Sequence, residues 1–295
     1  SSMPVCPEGS TRIVFVSDTH AQLGEIALPD GDILVHTGDI TFCARGGLHA
    51  LREFNAQLEA LPHRHKIVIG GNHDKRLEQL GRFEVRQLLS AAHYLENSGV
   101  RLCGLHFWGS PFSHRHKRRS SNQAFQYSEE FQRTRLWRYV PNDVDVLLTH
   151  GAAHGVPLLV QTIERTTPYL HAHGHDHELH GATLGWPSEL LLDARPRTTP
   201  LSQADGRGGP SGVGRGTPPP PPASAAGGGG YWRGGSRGAA GGGGERGGGV
   251  NGNGAGRPSL ITVNAAICNK AYQPVQLPVV VDLPSTPSPS GSSLG

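Results

Sequence analysis

The stretch HAHGHDHELHG, residues 171–181, gathers five histidines, and imidazoles this dense hold metal only if carboxylates and further ligands join them from elsewhere in the chain. Asp18 and His20 in SDTH stand at i and i+2, a spacing that puts both side chains on one side of an extended segment, able to grip one ion. Asp39 in HTGDI follows Gly38, which permits a tight turn, and a carboxylate can bridge two cations roughly 3.5–4 Å apart. In GGNHD, Asn72 offers a neutral carbonyl oxygen. Its neighbour His73 points elsewhere, suited to donate a proton or hydrogen bond to a substrate, with Asp74 holding it protonated. His150 lies in the turn THG after an apolar run, and GHDH sets His175 and His177 at i, i+2 beyond Gly174, so that both reach one centre from the same side. His171, His173 and His180 are expected to line or support the pocket. The inventory of Asp18, His20, Asp39, Asn72, His150, His175 and His177 mixes nitrogen and oxygen donors without a thiolate. That mixture suits two borderline divalent ions, Mn²⁺ first and Fe²⁺ or Zn²⁺ after it, better than copper, an iron–sulfur cluster or an all-oxygen calcium site.

Taken singly, each of these residues has a plainer reading as a turn cap or a hydrogen-bonded loop group. What sets them apart is their position. Apolar, β-branched runs over 12–17, 33–36, 66–69 and 144–148 each end in one of the polar clusters. Leu48, Leu51, Phe54, Leu58 and Leu61 repeat at helical spacing up to Pro62, predicting a helix between the second and third strands. A strand over 101–108, a helix over 128–139 and strands over 260–264 and 278–283 complete the expected order. Strand ends are the usual place for a site in α/β proteins.

The whole chain has 295 residues and a net charge of +3, mildly basic and well short of a protein that coats nucleic acid. More than half of its 42 glycines lie between 201 and 259, with an unbroken run of prolines at 218–222 and hardly any aliphatic side chains. Such a segment buries too little apolar surface to offset its ordering entropy. The expected organisation is therefore one domain over 12–283, a low-complexity Gly/Pro/Arg-rich insertion at 187–259, and a flexible tail over 284–295. RGG at 207–209, 233–235 and 246–248 raises RNA as a partner, against the plainer reading of a passive insertion. The four cysteines form no CxxC pair, and no apolar run is long enough for a membrane span, which suggests reduced thiols in a cytoplasmic protein.

Asp-x-His at 18–20, Gly-Asp at 38–39, Gly-Asn-His-Asp at 71–74, a histidine after an apolar strand at 150 and Gly-His-x-His at 174–177, in this order, resemble the calcineurin-like metallophosphoesterases. FWGSPF at 107–112, VDVLLTHGAAHG at 144–155, VNAAICN at 263–269 and PVVVDLP at 278–284 resemble the branch of metallophosphoesterase domain-containing proteins of the 239FB type. The resemblance implies a four-layer α/β/β/α sandwich with a dinuclear site. It implies Asp39 as the bridge, Asp18, His20 and His177 on one ion, and Asn72, His150 and His175 on the other. His73 would assist at the leaving group or a substrate oxygen. The implied reaction is hydrolysis of a small phosphodiester, such as a 2′,3′- or 3′,5′-cyclic nucleotide or an RNA end, by a water or hydroxide held between the cations. A phosphomonoesterase or a non-catalytic scaffold on the same fold are the rival readings. Two departures stand out: Gly151-Ala152-Ala153 replaces the usual Gly-Pro-Pro, and the 187–259 insertion replaces a short connection. The basic loop HRHKRR at 114–119 reads either as a substrate-phosphate reader or as a solvated surface loop.

Overall fold

The computed structural model describes residues 8–42, 47–114, 122–127, 131, 136–185, 231–233 and 259–284. Their strands form two six-stranded sheets and one small two-stranded one. In the first sheet β1 (Ser10–Val16), β2 (Ile33–His36), β3 (His65–Val68) and β4 (His93–Tyr94) run parallel. On the other side of β1, β14 (Val279–Pro284) runs antiparallel, and β12 (Tyr231–Arg233) adds to its outer edge. The second sheet has β6 (Leu105–Ser110), β9 (Val146–Thr149), β10 (Leu170–His173) and β13 (Ile261–Asn264) in parallel order, flanked by antiparallel β5 (Ser98–Leu102) and β11 (Gly181–Leu184).

Alternation along the strands builds the layers. Ile13 and Phe15 of β1, with Ile33, Val35, Ile67 and Ile69, face Phe107, Val146, Leu148, Leu170, Ala172 and Val263 of the second sheet. The intervening Val14 and Val16, with Leu34 and Val68, face Leu51, Phe54 and Leu58 of helix α1 (Leu48–Ala60), Leu77 of α2 (Lys75–Leu80) and Val85 of α3 (Arg82–Leu88). On the far side Leu147 packs under Leu159, Val160 and Ile163 of α4 (Pro157–Thr166). The result is an α/β/β/α sandwich. Strands buried on both faces read as continuous apolar runs, which is why the periodicity of β2 and β9 is so plain.

The helix over 48–61 and the strands at 12–17, 33–36, 66–69 and 144–148 lie within a residue or two of expectation. The single strand expected over 101–108 is instead a hairpin, β5 and β6, turned at Cys103 and Gly104, both left-handed at φ 51° and 75°. Most of the helix expected over 128–139 lies outside the described residues, and Trp137–Tyr139 is a short 3₁₀ turn. The basic loop is likewise outside them beyond His114, which ends the short strand β7 (Ser113–His114) beside β8 (Gln126–Tyr127). Of the three RGG triplets, only the backbone of Arg233 is described. Cys103 and Cys268 form no disulfide, and no helix among the described residues is long and apolar enough to cross a membrane.

Candidate metal centre

The parallel strands of both sheets end at the same edge, and a bridge between Ser17 and Ala266 joins the sheets there. Asp18 and His20 follow β1, Asp39 follows β2, Asn72 follows β3, His150 follows β9, and His175 and His177 follow β10. Ligand atoms of Asp18, His20 and His177 lie within 4.8 Å of one another, as do those of Asp39, His150 and His175. A third grouping, His20, Asp39 and His73, overlaps both and connects them. Asn72 Oδ1 joins the second group, 2.9 Å from His150 Nε2 and 2.7 Å from His175 Nδ1.

The backbone is bent to achieve this. Asp18, His20, Asp39 and His175 all adopt left-handed dihedrals, with φ of 53°, 44°, 55° and 69°. For residues with a Cβ this costs about 1 kcal/mol or more each, a strain typical of functional positions. It also corrects the expectation that His175 and His177 address one centre: with His175 left-handed the segment is not extended, and the two imidazoles part between the two groups. Gly71 and Gly174 are needed for close approach, since a Cβ there would lie 2.3 Å from Asp39 Oδ1 and 2.2 Å from Asp18 Oδ2 respectively.

The donor set itself fits divalent cations. His150 Nδ1 lies 2.9 Å from the Thr37 carbonyl while its Nε2 faces Asn72 Oδ1 at 2.9 Å and Asp39 Oδ1 at 3.3 Å. His177 repeats the pattern, with Nδ1 at 2.9 Å from the Asn269 carbonyl and Nε2 at 3.2 Å from Asp18 Oδ1. Both rings thus meet oxygen acceptors on both nitrogens, and His20 Nε2 and His177 Nε2 face each other at 3.4 Å. Only positive charge between these atoms resolves such an arrangement, as a proton or as a cation. The proton solution shows in the ionisation: burial pulls His150 down, but the charge and hydrogen bond of Asp39 push it up to about 9. Burial would raise Asp39, yet the surrounding imidazoles, His150 foremost, hold its carboxyl well below the usual range.

His73 and Asp74 depart from the sequence reading. Asp74 is buried and its carboxylate accepts from Ile40 N, Thr41 N, Thr41 Oγ1 and Gly71 N at 2.8–3.1 Å, so it ties the Asp39 loop to the GGNHD turn. Adjacency in sequence suggested a His73–Asp74 pair. Among the described residues, the carboxylate paired with His73 Nε2 is Asp39 Oδ2, at 3.8 Å. Burial of the ring lowers the His73 pKa to about 4, which leaves it neutral near pH 7 in the metal-free site. His171 and His173 are buried supports, one hydrogen-bonded to Thr149 Oγ1 and the other to the Gly174 carbonyl.

A cleft of about 260 Å³ opens onto the centre, lined by Asp39, Asn72, His73, His175 and His177 and by four residues the sequence reading missed: Asn122, Asp176, Lys270 and Tyr272. Lys270 and Tyr272 project from a turn knotted by Asn269, whose Oδ1 accepts from Ala271 N and Gln273 N while its carbonyl faces His177. The motif VNAAICN ends at that Asn269, so the signal pointed to the right turn without naming its cleft-lining members.

A family model for calcineurin-like phosphoesterases matches residues 11–179, more than half of the chain and a span that includes all seven candidate ligands. The chain belongs to this family. Among curated relatives, two UPF0046 proteins of Caenorhabditis elegans are 34% and 33% identical, over 60% and 58% of this chain and 72% and 64% of their own lengths. Metallophosphoesterase domain-containing protein 1 of Homo sapiens is 32% identical over 59% of this chain and 63% of its own. The chain therefore spans about two thirds of the length of these three relatives, and they are the branch that FWGSPF and VNAAICN resemble.

Proposed function

We propose that this calcineurin-like chain is a metal-dependent phosphodiesterase that hydrolyses a small phosphodiester, with 2′,3′- and 3′,5′-cyclic nucleotides as the candidate substrates. The observation that carries the reading is the pair of groups Asp18–His20–His177 and Asp39–His150–His175, linked by the His20–Asp39–His73 grouping. Asp18, His20 and His177 would hold one cation and Asn72, His150 and His175 the other, with Asp39 shared. Bound there, two divalent ions supply Lewis acidity toward a phosphate oxygen and lower the pKa of a water. The side chains do the rest. Thr37 and Asn269 carbonyls fix the His150 and His177 rings through Nδ1, so each presents Nε2 to the centre. His73, neutral and facing the cleft, exchanges a proton or hydrogen bond with the reacting oxygens. A cleft of about 260 Å³ suits a small organic ester.

A matrix of Mn²⁺, Fe²⁺ and Zn²⁺ against an aryl phosphodiester, both cyclic nucleotides, a phosphomonoester and a short RNA tests this. Diester turnover exceeding monoester turnover is the expected result. Monoester preference makes the protein a phosphatase, and no turnover at full metal occupancy makes it a non-catalytic member of the family.

A further inference from the structure

The segment 122–127 lies directly over the GGNHD turn. Ala124 N donates to the Asn72 carbonyl at 3.1 Å, and the Phe125 ring sits so close to Gly70 that a Cβ there would meet it at 2.8 Å. At the head of this segment is Asn122, which touches both chemistry-bearing residues of the turn. Its carbonyl takes the Asn72 side-chain N–H at 3.5 Å, an orientation that turns Asn72 Oδ1 toward His150 and His175. Its own amide lies 2.7 Å from His73 Nε2, at the wall of the cleft. Around the rest of the His73 ring, His20 lies at 4.7 Å and Phe42 and Tyr272 at 5.8 Å, while Asp39 Oδ2 stands 3.8 Å from Nε2. The ring is thus wedged by aromatic neighbours, and the Asn122 amide lies nearer its Nε2 than the Asp39 carboxylate does.

We propose that Asn122 is a positioning residue of this site, acting through His73: its side-chain N–H donates to His73 Nε2, holding the ring toward the cleft with that nitrogen as an acceptor. A neutral imidazole carries one proton, so a donor at Nε2 places that proton on Nδ1. The inference rests on the phosphodiesterase reading for its kinetic part only, because the tautomer of His73 is observable without turnover.

The test joins a spectrum to a double-mutant cycle. Side-chain ¹⁵N spectra of the zinc-loaded chain, with His73 assigned by His73→Ala, should show a bare Nε2 in the wild type. In Asn122→Asp, which keeps the shape but presents only acceptors, the proton should move to Nε2. With an aryl phosphodiester, Asn122→Ala should lower kcat roughly tenfold while KM stays within about twofold, and the same substitution in a His73→Ala background should lower it no further. A protonated Nε2 in the wild type overturns the proposal, as does an unmoved proton in Asn122→Asp or an equal loss in both backgrounds. If no ester is cleaved, the phosphodiesterase reading fails and the spectra still decide the role of Asn122.

Discussion

β1 has a buried polar cluster at each end, and the two obey opposite rules. Near its start, Arg12 Nε and Nη2 donate to Asp282 Oδ1 and Oδ2 at 2.8 and 2.9 Å, a two-pronged pair across to β14 in which every charge has its counter-charge. Beyond its end, Asp18, His20, Asp39, Asn72, His150 and His177 set acceptors against acceptors, with Asp18, His20 and Asp39 on left-handed backbone. A cluster that neutralises itself needs nothing else and serves stability. A cluster that gathers lone pairs and strain is completed by what it binds. The difference separates structural from functional polar burial without reference to any relative.

The largest effect expected from this contrast belongs to Asp39, which sits in the group with His150 and His175 and also in the His20–Asp39–His73 grouping that reaches the other one. Asp39→Ala should drop bound metal from about two ions per chain to at most one, and lower diester turnover by roughly 10⁴-fold or more. Elemental analysis of the reconstituted variant checks it, and retention of two ions would break the contrast at its functional end. His73→Ala should keep both ions and lose roughly 10²–10⁴-fold in kcat, the size of general acid–base assistance. Loss of metal in that variant would make His73 a ligand, as the His20–Asp39–His73 grouping allows.

At the other end of β1 the expected effect is on stability alone. Arg12→Met leaves Asp282 buried without its main cation and should cost about 3–5 kcal/mol in denaturant unfolding, with turnover per folded molecule unchanged. Adding Asp282→Leu should recover most of the loss, since the pair and its apolar replacement are close in energy. A double variant as unstable as the single one would show that the pair does more than neutralise itself.

At the functional end of β1, paired with Val16, His36 is buried beneath the site, its Nδ1 accepting from Gly38 N at 3.2 Å and its Nε2 bonded to Thr19 Oγ1 at 2.9 Å. Burial lowers its pKa to about 3. Its folded value lies below the unfolded one, so its stabilisation is complete above about pH 6.5 and is lost as pH falls toward 3. In that window it contributes a slope of about 1.4 kcal/mol per pH unit. Metal-free His36→Asn, unfolded by denaturant at several pH values, should show a shallower acid dependence by that amount. An unchanged slope would place the acid sensitivity in the ligand cluster instead.

The sequence exposes one half of this contrast better than the other. Ligands at the ends of β1, β2, β3 and β9 are legible because each follows a strand buried on both faces, and an abrupt polar cluster after such a run has few structural reasons to exist. The partner of His73 is not legible, because adjacency favours Asp74 while the fold spends that carboxylate on the amides of residues 40, 41 and 71. Asn122 follows no apolar strand and sits beside a basic run, so nothing local marks it. The β5–β6 turn at Cys103-Gly104 lacks the Asn-Gly or Asp-Gly signal, and its two strands read as one. Arg12–Asp282 joins residues far apart in the chain, a pairing that no local pattern can announce.

The smallest effect should come from the longest sequence feature. β11 ends at Leu184 directly opposite Ile261, where β13 begins, the two strands are antiparallel, and Gly185 N donates to the Leu260 carbonyl at 3.0 Å. β11 and β13 are therefore paired as the two arms of a hairpin at the outer edge of the second sheet. A turn of two to five residues can close such a hairpin, and lengthening it adds only about 0.6 kcal/mol of closure entropy per doubling. The segment returns to the described structure once, at β12, three residues beside β14 on the outer edge of the first sheet. Replacing 187–259 by a short Asn-Gly turn removes that edge pairing and none of the seven ligands. Folding, two-ion binding and diester turnover should all persist within a few fold. An insoluble or inactive protein would show that β14 needs its outer neighbour, and that the Arg12–Asp282 end of the molecule relies on the insertion to cover it.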